Sequence, residues 1–298
     1  MFDLQVNGYR GVDFTSPTLT RDAFREACRQ YLAEGADRFL PTLITAQEAV
    51  YERNLTLIAE VLDEENGFDG RIPGLHLEGP FLDPAPGAIG AHDPACVRPP
   101  DLALLQKMQR WSGGRVALMT LAANQPDAAA FCRHATANGT VISLGHHLAS
   151  FDDLCRLRDA GATALTHLGN GMPNLVHRHD NPLLNGLCCD GLTIMLIADG
   201  HHLPARLVRF LIEAKGTSNV IVVSDAAPLA GLPPGRYETL GNRVVLEENG
   251  LLHNPEKQCL VGSSFSLQRC ARFLREIGVD DAAANRMTEV NPTRLLGL

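Results

Sequence analysis

At 298 residues, 45% hydrophobic and 20% charged, the chain has the composition of a globular protein and is long enough for one large domain or two ordinary ones. A formal net charge of -8, with no Lys/Arg run longer than two, argues against a nucleic-acid or acidic-membrane surface. No apolar run approaches the ~18 residues of a membrane span, no basic segment precedes an apolar one at the N-terminus, and the eight cysteines show no CxxC, so a cytoplasmic protein with reduced thiols is expected.

Phe2 to Val6 reads as a strand. Thr20 to Glu34 reads as a helix with Phe24, Ala27, Cys28, Tyr31 and Leu32 on one face. Arg38 to Ile44 is a second strand, and Thr45-Ala-Gln-Glu48 has the form of a capping box opening a helix with Leu55, Ile58 and Leu62 inward. Ile72 to Leu77 is a third strand, followed by a Pro/Gly-rich loop to Pro100 and a helix capped by Asp101. Strands over Val116 to Leu121, Val141 to Leu144, Ala164 to Thr166, Thr193 to Ile197 and Val220 to Ser224 follow. Helices are expected after Pro126, Ser150 and Pro204, with an irregular segment at 169–190.

Eight strands alternating with helices predict a (β/α)8, TIM-like barrel. A doubly wound sheet would place a glycine-rich phosphate turn after the first strand, and Asn7-Gly-Tyr-Arg-Gly11 is not one. One barrel domain spanning 1–298 is expected, with a small hairpin insertion near 235–252 and C-terminal helices within 264–296.

In a barrel, polar residues just past strand ends converge on one face. Glu78, His146, His167 and Asp225 all occupy such positions. Alone, each has an ordinary reading as a hydrogen-bonded residue or a cap. Together, two histidines and a carboxylate suit a catalytic Zn²⁺ with one open position.

The ordered motifs Asp3-Leu-Gln-Val-Asn-Gly8, Gly74-Leu-His-Leu-Glu-Gly-Pro80, Gly90-Ala-His92, Leu144-Gly-His146, Thr166-His-Leu-Gly-Asn170, Ile197-Ala-Asp-Gly-His-His202, Val223-Ser-Asp225 and Val261-Gly-Ser-Ser264 resemble the N-acetylglucosamine-6-phosphate deacetylase family of the amidohydrolase superfamily. The resemblance implies a barrel of the metal-dependent hydrolase type that removes acetyl from an N-acetylated amino sugar, commonly as a homodimer. It implies Glu78, His146 and His167 as ligands of a divalent metal, zinc or alternatively iron, Asp225 as general base then acid, and His92 at the sugar and reacting carbonyl. Asn170, Gly171 and His202, with Arg178 reaching to a partner subunit, stand where the family holds the 6-phosphate.

Gln5-Val-Asn7 replaces the His-x-His of two-metal amidohydrolases, so one metal per chain is expected. Around Arg178 the sequence departs from the family's usual surroundings, and Gly169 and Gly171 stand where bulkier residues are usual. The family's small β-sandwich, built from residues flanking the barrel, has no counterpart expected within 1–298, which favours a partner chain as cover. The competing expectations are a different N-acyl or unphosphorylated amino-sugar substrate, or a glycosidase using Glu78 and Asp225, which leaves both histidines without a role.

Overall fold

Eight strands pair in parallel, each with the next, because each is followed by a helix or loop that returns the chain to the same end of the sheet. The computed structural model describes all residues 1–298. The strands are β1 (Phe2–Val6), β2 (Arg38–Ile44), β3 (Leu75–Glu78), β4 (Val116–Leu121), β5 (Val141–Leu144), β6 (Ala164–Leu165), β7 (Thr193–Ile197) and β8 (Val220–Val223), in that spatial order. A parallel bridge of Val6 with Ala226 closes the sheet, Asn7 N donating to Ala226 O at 2.8 Å.

Helices α1 (Arg21–Ala33), α2 (Glu48–Glu64), α3 (Leu102–Trp111), α4 (Ala128–Ala137), α5 (Phe151–Asp159), α6 (Pro182–Cys188) and α7 (Ala205–Lys215) follow the first seven strands. The five apolar residues of α1 marked by periodicity are all buried, each large one contributing roughly 1.5–3 kcal/mol. Caps at Asp101 and Ser150 are as the sequence suggests, Ser150 forming a reciprocal box with Asp153. Thr45 is different. The cap of α2 is Gln47, without a side-chain bond, because the Thr45 hydroxyl donates instead to the Glu78 carbonyl at 3.3 Å. The chain ends with α8 (Leu267–Glu276), α9 (Asp281–Asn285), a π-helical turn at Arg286–Val290 and α10 (Asn291–Leu295). No helix is long and apolar enough to cross a membrane.

The insertion is larger than a hairpin. Strands β9 (Gly235–Thr239), β10 (Asn242–Leu246), β11 (Leu252–Asn254) and β12 (Cys259–Leu260) form an antiparallel four-stranded sheet extending past residue 252. The last two strands are only three and two residues long, too short for period-two alternation to mark them.

The barrel interior is layered. Its floor is apolar, with Phe2, Leu4, Leu118, Met195, Ile221 and Val223 among the packed residues. Above it runs a hydrogen-bonded polar layer. His76 Nδ1 lies 3.0 Å from the Leu4 carbonyl, so this nitrogen carries the proton and Nε2 accepts from Thr120 Oγ1 at 2.8 Å. Thr120, Thr166 and Ser143 continue the chain at 2.9 and 2.7 Å. On β3, Leu75 and Leu77 face the helices while His76 and Glu78, at the alternate parity, belong to the interior.

Burial lowers the His76 pKa from 6.5 to about 4, a shift worth about 3 kcal/mol. The unfolded chain takes up a proton that the folded chain resists, so this contribution is full above pH 6.5 and is lost as pH falls towards 4. Urea unfolding in chelator should therefore show the stability advantage of the parent over His76→Gln narrowing by up to about 3 kcal/mol across that window. A constant advantage would mean that His76 is not held neutral.

Candidate active site and metal centre

Four strand ends bring their polar side chains to one cavity of about 560 Å³. Glu78, His146, His167 and Asp225 line it, together with His92 from the loop after β3. Three of these depart from ordinary strand geometry: His146, His167 and Asp225 have φ of 51°, 29° and 50°, in the left-handed region that non-glycine residues enter rarely and often at functional sites. Each is the second residue after its strand, so the turn aims the side chain into the barrel mouth.

Glu78 is the hub. Its Oε1 lies 2.7 Å from His167 Nε2 and 3.2 Å from His146 Nε2, and its Oε2 lies 3.8 Å from His92 Nε2. The other ring nitrogens decide what these distances mean. His146 Nδ1 is 2.7 Å from the Ala88 carbonyl, which only accepts, so in the neutral ring Nε2 presents a lone pair to the carboxylate. His92 Nδ1 is 3.1 Å from Thr45 Oγ1, whose one proton goes to the Glu78 carbonyl; the neutral His92 ring therefore also turns a lone pair towards Glu78. Burial lowers the His92 pKa to about 3, so that ring is neutral. Acceptors facing an acceptor are repulsive unless a cation sits between them. Donor atoms of Glu78, His92 and His146 all fall within 4.8 Å of one another, close enough to hold a metal ion. His167 adds a fourth candidate nitrogen; its Nδ1 is buried without a partner.

Gly171 explains one of the glycines after β6. Its φ is +60° and a Cβ there would lie 2.8 Å from His146 Nδ1, so the backbone packs directly on the imidazole that the site must hold still.

Asp225 is oriented from β1. Gln5 Nε2 at 3.0 Å and Asn7 Nδ2 at 2.7 Å both donate to its Oδ1, and no protein donor engages Oδ2. Burial, then the charge of Glu78, raises its pKa to about 7 against the opposing pull of His167, His202 and the Asn7 hydrogen bond.

No family model matches the chain. Curated relatives do. The chain is 31% identical over 298 residues to N-acetylgalactosamine-6-phosphate deacetylase of Escherichia coli O157:H7, covering 99% of the chain and 77% of that protein. It is 32% identical over 311 residues to human N-acetylglucosamine-6-phosphate deacetylase, covering 99% and 73%. The chain belongs to the N-acetylglucosamine-6-phosphate deacetylase family. It is thus a hydrolase acting on linear amides, on a barrel that superposes with a TM-score of 0.89 on a mutant Mycobacterium smegmatis N-acetyl-D-glucosamine-6-phosphate deacetylase in complex with N-acetyl-D-glucosamine-6-phosphate. That match is 27% identical and covers 100% of this chain and 77% of the other.

The deacetylase-like anion residues are less well gathered. Asn170, Gly171 and His202 line the cavity, yet the Asn170 amide already donates to the His167 carbonyl at 3.0 Å. His202 Nδ1 is 2.7 Å from Asp199 Oδ2. Burial lowers the His202 pKa, but the Asp199 charge and hydrogen bond overcome this and raise it, favouring a cationic ring. Arg178 is exposed on the loop before α6 and does not line the cavity of its own chain. Two further residues were not legible as site residues: Thr45, whose spacing imitates a helix cap, and Asp199, which orients His202 while accepting from Ser263 Oγ at 2.9 Å.

Proposed function

We propose that this chain removes the acetyl group from an N-acetylhexosamine 6-phosphate, most simply N-acetylglucosamine 6-phosphate, using one divalent metal held by Glu78, His146 and His167. The observation that carries the reading is the pair of lone pairs, on His146 and His92, turned on the Glu78 carboxylate, an arrangement that suits a dication between them, with His167 Nε2 also at the hub. A bound Zn²⁺ or Fe²⁺ would lower the pKa of a water and polarise the acetyl carbonyl.

The chain's own residues do the rest. Asp225 Oδ1 is fixed by Gln5 and Asn7, which leaves Oδ2 to take the proton of the attacking water and then to deliver it to the departing amine. His92, held by Thr45 beside the hub, is placed to face the reacting carbonyl. Because both first-strand amides are engaged by Asp225, a second metal has no imidazole or thiolate there, consistent with one ion per chain. A glycosidase using Glu78 and Asp225 gives no account of the three imidazoles.

We also propose a homodimer. Leu148, Phe151, Leu175, Val176 and Leu184 are exposed on and beside the loop that carries Arg178, Leu175 to 92%. An apolar face there suits a second copy and would send Arg178 towards a neighbouring cavity.

Asp225→Asn should lower kcat by about 10²-fold or more. It should also abolish the acid limb of the pH profile, along which activity rises as Asp225 loses its proton. A bound dication favours the carboxylate, so that limb should have its midpoint below the value of about 7 to which burial and Glu78 raise the group without metal. Retained turnover in the variant refutes the assignment. Metal analysis separates the two histidines flanking the hub: His167→Ala should lose the ion, while His92→Asn should keep it and lose kcat. The reverse pattern would move His92 into the ligand set. Leu175→Glu should shift the sedimentation of the holoenzyme from dimer to monomer, and unchanged sedimentation would place the interface elsewhere.

A further inference from the structure

We infer that Lys257 is a specificity-determining residue of this cavity, the cation with which the chain itself recognises the phosphate monoester of its substrate. This rests on the deacetylase reading and extends it to the inserted sheet, which the barrel chemistry does not use.

The turn between β11 and β12 is built to present this residue. Asn254 Oδ1 accepts from Glu256 N at 2.9 Å and Lys257 N at 3.0 Å, and Gln258 then takes φ 53°. Left-handed backbone is uncommon for a residue other than glycine and here marks a tight bend. The bend brings Lys257, Gln258, Cys259 and Leu260 onto the cavity wall. The ammonium is positioned as well: Nζ donates to Asn242 Oδ1 at 2.8 Å, and Asn242 Nδ2 donates to the carbonyl of Ala91, the residue before His92, at 3.0 Å.

Its charge has no protein counter-ion. Lys107 is paired with Glu48 at 2.7 Å, and Lys215 is directed at the carbonyls of Gly186, Leu187 and Cys189. Lys257 has only the neutral Asn242 oxygen, and it is the one lysine or arginine lining the cavity. That cavity also contains Glu78 and Asp225, which repel an entering dianion. Since the Asn170 amide is already engaged and Arg178 lies outside the wall of its own chain, Lys257 and His202 are the cationic side chains left to offset that repulsion.

Two measurements on the metal-loaded enzyme test this. In steady-state kinetics, Lys257→Met should raise KM for N-acetylglucosamine 6-phosphate by about 10-fold with kcat within about twofold, leave kcat/KM for unphosphorylated N-acetylglucosamine unchanged, and be largely rescued in Lys257→Arg. By calorimetry, affinity for inorganic phosphate should fall by a similar factor, and this arm requires no turnover. A phosphate affinity unchanged by Lys257→Met overturns the role whether or not either sugar is a substrate, as does an equal loss on both sugars. A parent enzyme that deacetylates neither of these sugars nor N-acetylgalactosamine 6-phosphate, while its phosphate affinity still depends on Lys257, sinks the deacetylase reading and leaves the anion site standing.

Discussion

A buried carboxylate faced by the lone pairs of His146 and His92 is the constraint on which the rest of this fold depends. Burying Glu78 among neutral acceptors is unfavourable by several kcal/mol unless a positive charge joins them. The rings cannot all supply that charge, because their centroids are 4.5 and 4.8 Å apart and imidazolium ions at that spacing repel. The neighbouring groups fix the matter by what they accept. Ala88 O and Thr45 Oγ1 take the Nδ1 protons of His146 and His92, and so fix which nitrogen faces inward. Left-handed backbone at His146 and His167, and a glycine where a methyl group would strike His146, are the local strains this arrangement requires.

Most of the barrel was legible because its signals are local. Strands such as Arg38–Ile44 and Thr193–Ile197 are runs of apolar residues, and Ser150 and Asp101 cap their helices through their own side chains. The joint placement of Glu78, His146, His167 and Asp225 could be read as well, since a barrel converts strand ends into neighbours. What was not legible is long-range. Thr45 has the spacing of a helix cap, but Glu78 and His92, 33 and 47 residues away, claim its hydroxyl. No periodicity marks strands as short as Leu252–Asn254 and Cys259–Leu260, so the inserted sheet reads as a smaller hairpin.

Chemistry and recognition are carried by different parts of the molecule. The groups that would handle the acetyl carbonyl and its proton sit on barrel strand ends, above a hydrogen-bonded layer and an apolar floor that restrict their movement. The residues proposed to face the outer part of the substrate come from loops and from the inserted sheet, joined to the barrel through contacts such as Asn242 with Ala91. A change in the sheet can therefore alter which sugar is accepted while leaving the hydrolytic centre intact.

The bridge that closes the barrel lies directly beside Asp225. Val6 pairs with Ala226, Asn7 donates its backbone amide to Ala226 and its side-chain amide to Asp225, and Gln5 reaches the same carboxylate. The first and last staves of the barrel are thus fastened at the residue proposed to carry the proton. Any breathing at this seam, which joins residues more than 200 positions apart in the chain, would misalign the proposed base before it disturbs the proposed ligands on the interior strands. Catalytic competence in this molecule is in that sense a gauge of ring closure.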